Sequence, residues 1–325
     1  MPKMFASHHH WHSSTIDSTK IATPALFNSH HPAPKLLYSY DNVFHGFSAV
    51  LSKDEIEALK KSTGFISAYK DTSLEAHTTH TSEILKLNPS SDTIGHGTHV
   101  ASIALGNFVK GASYFGYAPG TAKGVAPRAR LAVYKFSFDE GNFTSDLIAA
   151  MDQAVADSID MICISYGWRF IPLYEDTIAI AAFGAMRKGV LVSASEGNSG
   201  LHMGSLNNGV PWIFTEASGH TDRWFSGTLT LGSGPSTSID APHIAGIAAM
   251  VKGAHREWSP SAIRSAMMTT SNPLDNTQKP IRNSEDNKRA TPLDMGAGHV
   301  DPNRALIPAS YMMPLRKIML IFSVL

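Results

Sequence analysis

Two apolar runs, residues 159–166 and 189–194, constrain the fold of this chain most. The first contains Ile159, Met161, Ile162, Cys163 and Ile164 almost without interruption. A strand that is apolar on both faces belongs in a sheet covered on both sides. Helical stretches sit next to these runs. Residues 145–156 place Leu147, Ile148, Met151 and Val155 on one face, and residues 176–187 form a second helix between the runs. Further strands are expected at 129–136 and 210–215, and further helices at 97–105, 240–255 and 259–269. The last of these starts well, with Ser259 as N-cap and Pro260 at the first helical position. Strands alternating with helices predict an α/β domain: a parallel sheet with helices on both faces.

The first 80 residues have a different texture. Strands are expected at 35–40 and 44–51. Ser52 and Glu55 then have the spacing of a capping box, in which each side chain satisfies a free backbone N–H of the first turn. Ile56 and Leu59 give that helix its apolar face, and 65–69 reads as a third strand. This is a small α+β (ferredoxin-like) unit. A stretch rich in Thr, Ser, Asn and Asp follows. The expected organisation is a module at 1–80, a linker at 81–93, a main domain at 94–307 and a tail at 308–325.

Composition excludes some classes of function. Of 325 residues, 43% are apolar, enough for a packed core, and the 27 basic residues balance the 27 acidic ones. A neutral chain has no electrostatic case for nucleic acid or an acidic membrane surface. Cys163 is the single cysteine, so no intrachain disulfide can form; within its apolar run it reads as a buried hydrophobe rather than a catalytic thiol. The start lacks the apolar core of a signal peptide, and the apolar run at 318–325 is far shorter than the roughly 20 residues that span a bilayer. The expectation is a soluble chain with no export address as written. No metal and no cofactor are expected.

Three segments carry candidate chemistry. In Gly95-His96-Gly97-Thr98-His99-Val100-Ala101-Ser102, glycines leave an imidazole accessible at a helix start, where it can serve as general base to a hydroxyl. The alternative is a pair of metal ligands, His96 and His99. In Ser236-Thr237-Ser238-Ile239-Asp240-Ala241-Pro242-His243, a hydroxyl precedes a helix whose positive end favours developing negative charge. Ser236 and Ser238 read equally as N-caps. In Ser195-Glu196-Gly197-Asn198-Ser199-Gly200, an amide side chain on a rigid turn can donate to an oxyanion; an ordinary Asn/Gly turn is the alternative.

Together and in this order, the three segments resemble the subtilisin-like serine proteases, most closely the plant subtilase branch. Gly124-Val125-Ala126-Pro127 and Met295-Gly296-Ala297-Gly298-His299 are further phrases of that family, and residues 1–80 resemble its inhibitory propeptide, ending near His77-Thr78-Thr79-His80. The resemblance implies His96 as general base, Ser238 as nucleophile and Asn198 as oxyanion donor. It implies Ser165, Tyr166 and Gly167 as a strand edge that pairs with an extended peptide, and Ser195, Glu196 and Gly197 as pocket lining. The implied partners are a peptide or protein substrate and the chain's own propeptide as intramolecular inhibitor. The implied location is extracellular, in the apoplast or cell wall.

The chain departs from the family in one decisive place. The family carries its catalytic aspartate on the first core strand, in an apolar run ending Asp-Ser/Thr-Gly-Ile-Trp-Pro, and no such run exists here. Asp92 matches a different family position. In enzymes with this triad, loss of the aspartate costs on the order of 10⁴ in turnover. A core strand is lost with it, which should expose apolar surface on its neighbour. Ser236 replaces a glycine beside the nucleophile, Asp240 a small residue and Glu196 an alanine. The expectation is an impaired serine endopeptidase; the alternatives are a propeptide-type inhibitor or chaperone module and a non-catalytic peptide-binding pseudoenzyme. His8-His9-His10-Trp11-His12 reads as a solvated helix surface, with a metal tract as alternative. Asn142-Phe143-Thr144 is a glycosylation acceptor pattern.

Overall fold

The computed structural model describes residues 5–22, 35–76, 92, 95–138, 141–167, 171–200, 204–219, 240–283 and 286–308. The chain divides into two compact units. The first combines residues 1–74, 134–159 and 172–188; the second combines 75–133, 160–171 and 189–325.

In the first unit, helix α1 (His8–Ala22) precedes an antiparallel hairpin of β1 (Lys35–Tyr40) and β2 (Gly46–Val50), and α2 (Lys53–Lys60) follows. The capping box forms as expected: the Glu55 N–H donates to Ser52 Oγ at 3.3 Å, and the Ser52 N–H donates to Glu55 Oε2 at 2.7 Å. Both helices pack together, with Ile16, Tyr40 and Leu59 buried. The third strand does not form. Residues 65–69 are irregular, and Ile66 is 94% exposed. Residues 66–69 are all exposed, and strand propensity without burial carries little weight.

Helices α4 (Thr144–Ala156) and α5 (Thr177–Arg187) belong to this same unit and pack on each other. Here Asp152 does the work of a clamp. Its carboxylate accepts the backbone N–H groups of Asp41, Asn42 and Val43 at 3.1, 2.6 and 2.8 Å, and the Asn42 side-chain amide at 3.0 Å. Gly184 brings α5 against the same turn; a Cβ there would lie 1.6 Å from the Val43 carbonyl oxygen. At the start of α4, Asp71 accepts from the Ser145 N–H and hydroxyl, at 3.1 and 2.6 Å.

The second unit contains the parallel sheet. Its strand order is β11 (Phe214–Glu216), β10 (Leu191–Ser195), β8 (Met161–Ile164), all parallel. Every residue of β10 is buried, as its composition demanded. Helix α6 (Asp240–Ala254) packs on β8 and β10, and α7 (Pro260–Thr269) and α9 (Pro302–Leu306) complete the core. That core gathers Leu191, Ile247, Val251, Trp258, Ile263 and Met267. Helix α3 (His96–Leu105) lies against α6, and the short α8 (Pro292–Met295) precedes α9. Ser259 caps α7 through the Ala262 N–H at 3.2 Å.

Two expectations need correction. The strand expected at 129–136 does not form, and Leu131 and Val133 are 55% and 73% exposed. Among the described residues no strand pairs beside β8 on its outer edge, so this segment has nothing to join. The strand expected at 210–215 is confined to β11, because the chain at 210–213 is a turn closed by the Ile213 N–H on the Val210 carbonyl at 3.1 Å. Beyond the short helices α8 and α9, two hairpins were not foreseen: β6 (Ser137–Phe138) with β7 (Gly141–Asn142), and β4 (Val109–Tyr114) with β5 (Tyr117–Ala122), whose two-residue turn holds Phe115 and Gly116 at φ of 49° and 86°. Positive φ at both positions suits a tight hairpin but normally selects Asn-Gly, which hid the turn.

Candidate active site

His96 is the first residue of α3 and is buried. Gly95 before it sits at φ 80°, a left-handed conformation that glycine adopts without strain. Burial, then the neighbouring His99, pushes the His96 imidazole down to about 4, while Asp92 opposes this weakly. A ring held neutral at pH 7 is in the protonation state a general base requires. It makes a T-shaped contact with the Tyr166 ring, with ring centroids 5.3 Å apart and planes at 89°.

Asp92 holds the start of α3. Its Oδ1 accepts the Gly95 N–H at 2.8 Å, and its Oδ2 accepts the Thr98 N–H and hydroxyl, both at 2.7 Å. The carboxylate therefore caps α3 from outside the helix, satisfying amides that would otherwise lack partners. Among the described residues, no carboxylate hydrogen-bonds to His96. Burial first, and His243 on α6 next, lowers the pKa of His99; the pair His96 and His99 falls in no three-residue cluster of metal-ligating side chains among the described residues.

The other candidate residues come together around the ends of the sheet. Ser165 is buried between β8 and the two-residue strand β9 (Tyr166–Gly167). That strand edge is taken by the chain itself. Strand β3 (Glu75–Ala76) pairs with β9 antiparallel, Glu75 opposite Gly167 and Ala76 opposite Tyr166. Ser195 ends β10 fully buried, Glu196 and Gly197 continue from it, and Asn198 is exposed. The Glu196 backbone is fixed on both sides: its N–H donates to the Glu216 carbonyl at 2.9 Å, and its carbonyl accepts the Asn207 N–H at 2.8 Å. Ser238 lies outside the described residues, as do Ser236, the proposed propeptide end at 77–81 and most of the linker.

Sequence reasoning missed Asn208. Its buried amide donates to the Tyr166 carbonyl at 3.0 Å and to the Ser195 carbonyl at 2.8 Å, tying β9 to the end of β10. The doublet Asn207-Asn208 before Gly209 looked like ordinary turn chemistry, and nothing local separates a turn asparagine from a cross-strand brace. Cys163 behaves as expected; it is a free thiol whose pKa burial raises, with Glu216 adding to the effect.

A parallel sheet with a histidine at one helix start, an Asn-bearing turn after the central strand and a short strand edge beside it match what the sequence led us to expect of the subtilisin-like class. The subtilase family model (Peptidase_S8) matches residues 5–218 and 207–298, and this chain belongs to that family. Among curated proteins, it is 41% identical to subtilisin-like protease SBT3 of Solanum lycopersicum, covering 95% of this chain and 75% of that protein. It is 34% identical to subtilisin-like protease SBT1.9 of Arabidopsis thaliana, covering 73% of this chain but only 44% of that protein. Among solved structures, MycP1 with its N-terminal propeptide removed matches with a TM-score of 0.46 at 18% identity, over 70% of this chain and 83% of that one.

Proposed function

We propose that this chain is a serine endopeptidase of the subtilisin-like type whose turnover is impaired. In this reading His96 takes the proton of Ser238, Ser238 attacks the peptide carbonyl, and Asn198 donates to the oxyanion. Ser195, Glu196 and Gly197 line the pocket for the residue before the scissile bond. The observation that carries the impairment is the coordination of Asp92, whose carboxylate is committed to Gly95 and Thr98 rather than to the imidazole. With no carboxylate among the described residues hydrogen-bonded to it, the ring is neither held in one tautomer nor stabilised once protonated. The match to SBT3 supports a missing segment: it runs over 573 residues yet uses 95% of a 325-residue chain, so the relative carries long stretches with no counterpart here.

Residues 1–80 act as the inhibitory propeptide of a peptidase domain at 94–307, joined by the linker 81–93. The pairing of Glu75–Ala76 on Tyr166–Gly167 supports this, because a strand already added to that edge excludes a substrate strand. The substrate is a peptide or protein, and the location by family is extracellular. No helix of the described residues is long and apolar enough to cross a membrane.

The test is labelling by a fluorophosphonate probe. The full chain should label slowly and its Ser238→Ala variant not at all. Equal labelling of the two would remove Ser238 as nucleophile, and labelling as fast as an intact subtilase would remove the impairment. Peptide binding with no labelling would favour the pseudoenzyme reading.

A further inference from the structure

We propose that the start of α1 and the β1–β2 turn hold a divalent transition-metal ion, with zinc as the fitting species, through His8 Nδ1, the Asp41 carboxylate and a ring nitrogen of His45. One ligand atom from each of the three residues lies within 4.8 Å of the others. On a tetrahedral zinc with bonds of about 2.0–2.1 Å, neighbouring ligand atoms are about 3.3 Å apart. Side-chain rotation alone closes the difference: His8 Nδ1 is already 3.0 Å from Asp41 Oδ1, and the His8 and His45 rings lie 4.8 Å apart between centroids, tilted by 40°.

The contact between His8 and Asp41 is close but is not a hydrogen bond. His8 Nδ1 is buried and has no aligned partner. Two donor atoms that face a common point without bonding to each other are the arrangement a cation completes. Two imidazoles and one carboxylate form a donor set suited to zinc, with the fourth position left to water. The backbone of one of the ligands is fixed in advance, since Asp152 holds the N–H groups of Asp41, Asn42 and Val43. His12 is not a competitor through Nδ1, which pairs with Ser39 Oγ at 2.7 Å. The histidine tract thus contributes one ligand by position, while its exposed members His9 and His10 contribute none. The bound ion would tie α1 to the turn that Asp152 grips, so the N-terminal module would be held in its docked form by metal.

The experiment uses the full chain without a histidine tag. After equilibrium dialysis against low-micromolar free zinc, metal analysis should find about one zinc per chain. His45→Ala and, separately, Asp41→Asn should lower the affinity at least tenfold; both side chains are exposed, and circular dichroism checks that each variant folds. The double variant His9→Ala/His10→Ala should keep its zinc. Zinc should also raise the thermal midpoint of the parent chain but not that of His45→Ala. No zinc on the parent chain would overturn the proposal. So would loss of zinc from the double variant with retention in His45→Ala, which would assign binding to the tract alone.

Discussion

The His96 and Tyr166 rings meet in a T-shaped contact at β9, 5.3 Å between centroids and with their planes at 89°. This contact is part of what buries the imidazole, and burial is what keeps it neutral down to about pH 4. Stability should therefore depend on pH through this residue. In the unfolded chain the imidazole takes up a proton near 6.5, and in the folded chain only near 4. The contribution of a neutral His96 is intact above pH 6.5 and is lost as pH falls from 6.5 to 4, because the unfolded state is then protonated first. The separation corresponds to about 3 kcal/mol. Urea unfolding at pH 7 and pH 4 should show the parent chain losing about that much more than His96→Gln. Equal losses would mean that the ring is hydrated.

Asn208 braces that edge from the other side. Replacing it with alanine strips a donor from two buried carbonyls, those of Tyr166 and Ser195, and should cost about 2–4 kcal/mol. Asn208 also sits at φ 55°, so alanine would add backbone strain. Asn208→Gly removes the strain and isolates the amide's share, which should still exceed about 1 kcal/mol. Hydrogen exchange at Tyr166 and Gly167 should speed up in both variants. Unchanged exchange there would show that β9 is held by something other than this amide.

Gly184 sets helix propensity against sterics. Alanine should gain about 1 kcal/mol in a helix interior. The added Cβ, however, would meet the Val43 carbonyl at 1.6 Å, and Val43 belongs to the turn that Asp152 already fixes through three amides. Neither side can move without breaking those bonds, so the clash wins. Gly184→Ala should lower stability by about 1–3 kcal/mol. Limited proteolysis should then cut within residues 35–60 sooner than in the parent chain. A stabilised variant would mean that the turn does not rest on α5.

The elements read correctly from sequence share one property: their pattern is satisfied within a short stretch. The capping box of Ser52 and Glu55, the cap and proline of α7 and the fully buried β10 all formed where expected. The candidate site was legible to the same extent, since His96 at a helix start and the Ser195–Asn198 turn after β10 are local features. What failed depended on distant partners. Residues 65–69 and 129–136 have strand-like composition but pair with no strand among the described residues. Asp152 and Asn208 act across long separations on backbone groups, which carry no residue signature. The grouping of α4 and α5 with the N-terminal module is likewise a matter of tertiary packing.

The segment 129–136 offers the sharpest contrast between the two views. As a buried core strand it would not tolerate a charge; a carboxylate there would cost at least 3 kcal/mol. In the structure Val133 is 73% exposed and unpaired with any strand among the described residues. Val133→Glu should therefore change stability by less than about 0.5 kcal/mol. It should also raise solubility, because Leu131 and Val133 otherwise present an apolar, extended edge to other chains. Chemical denaturation and light scattering on the parent chain and variant read both effects. A large loss of stability would show that the segment is paired in solution, and that the strand expected from the sequence forms after all.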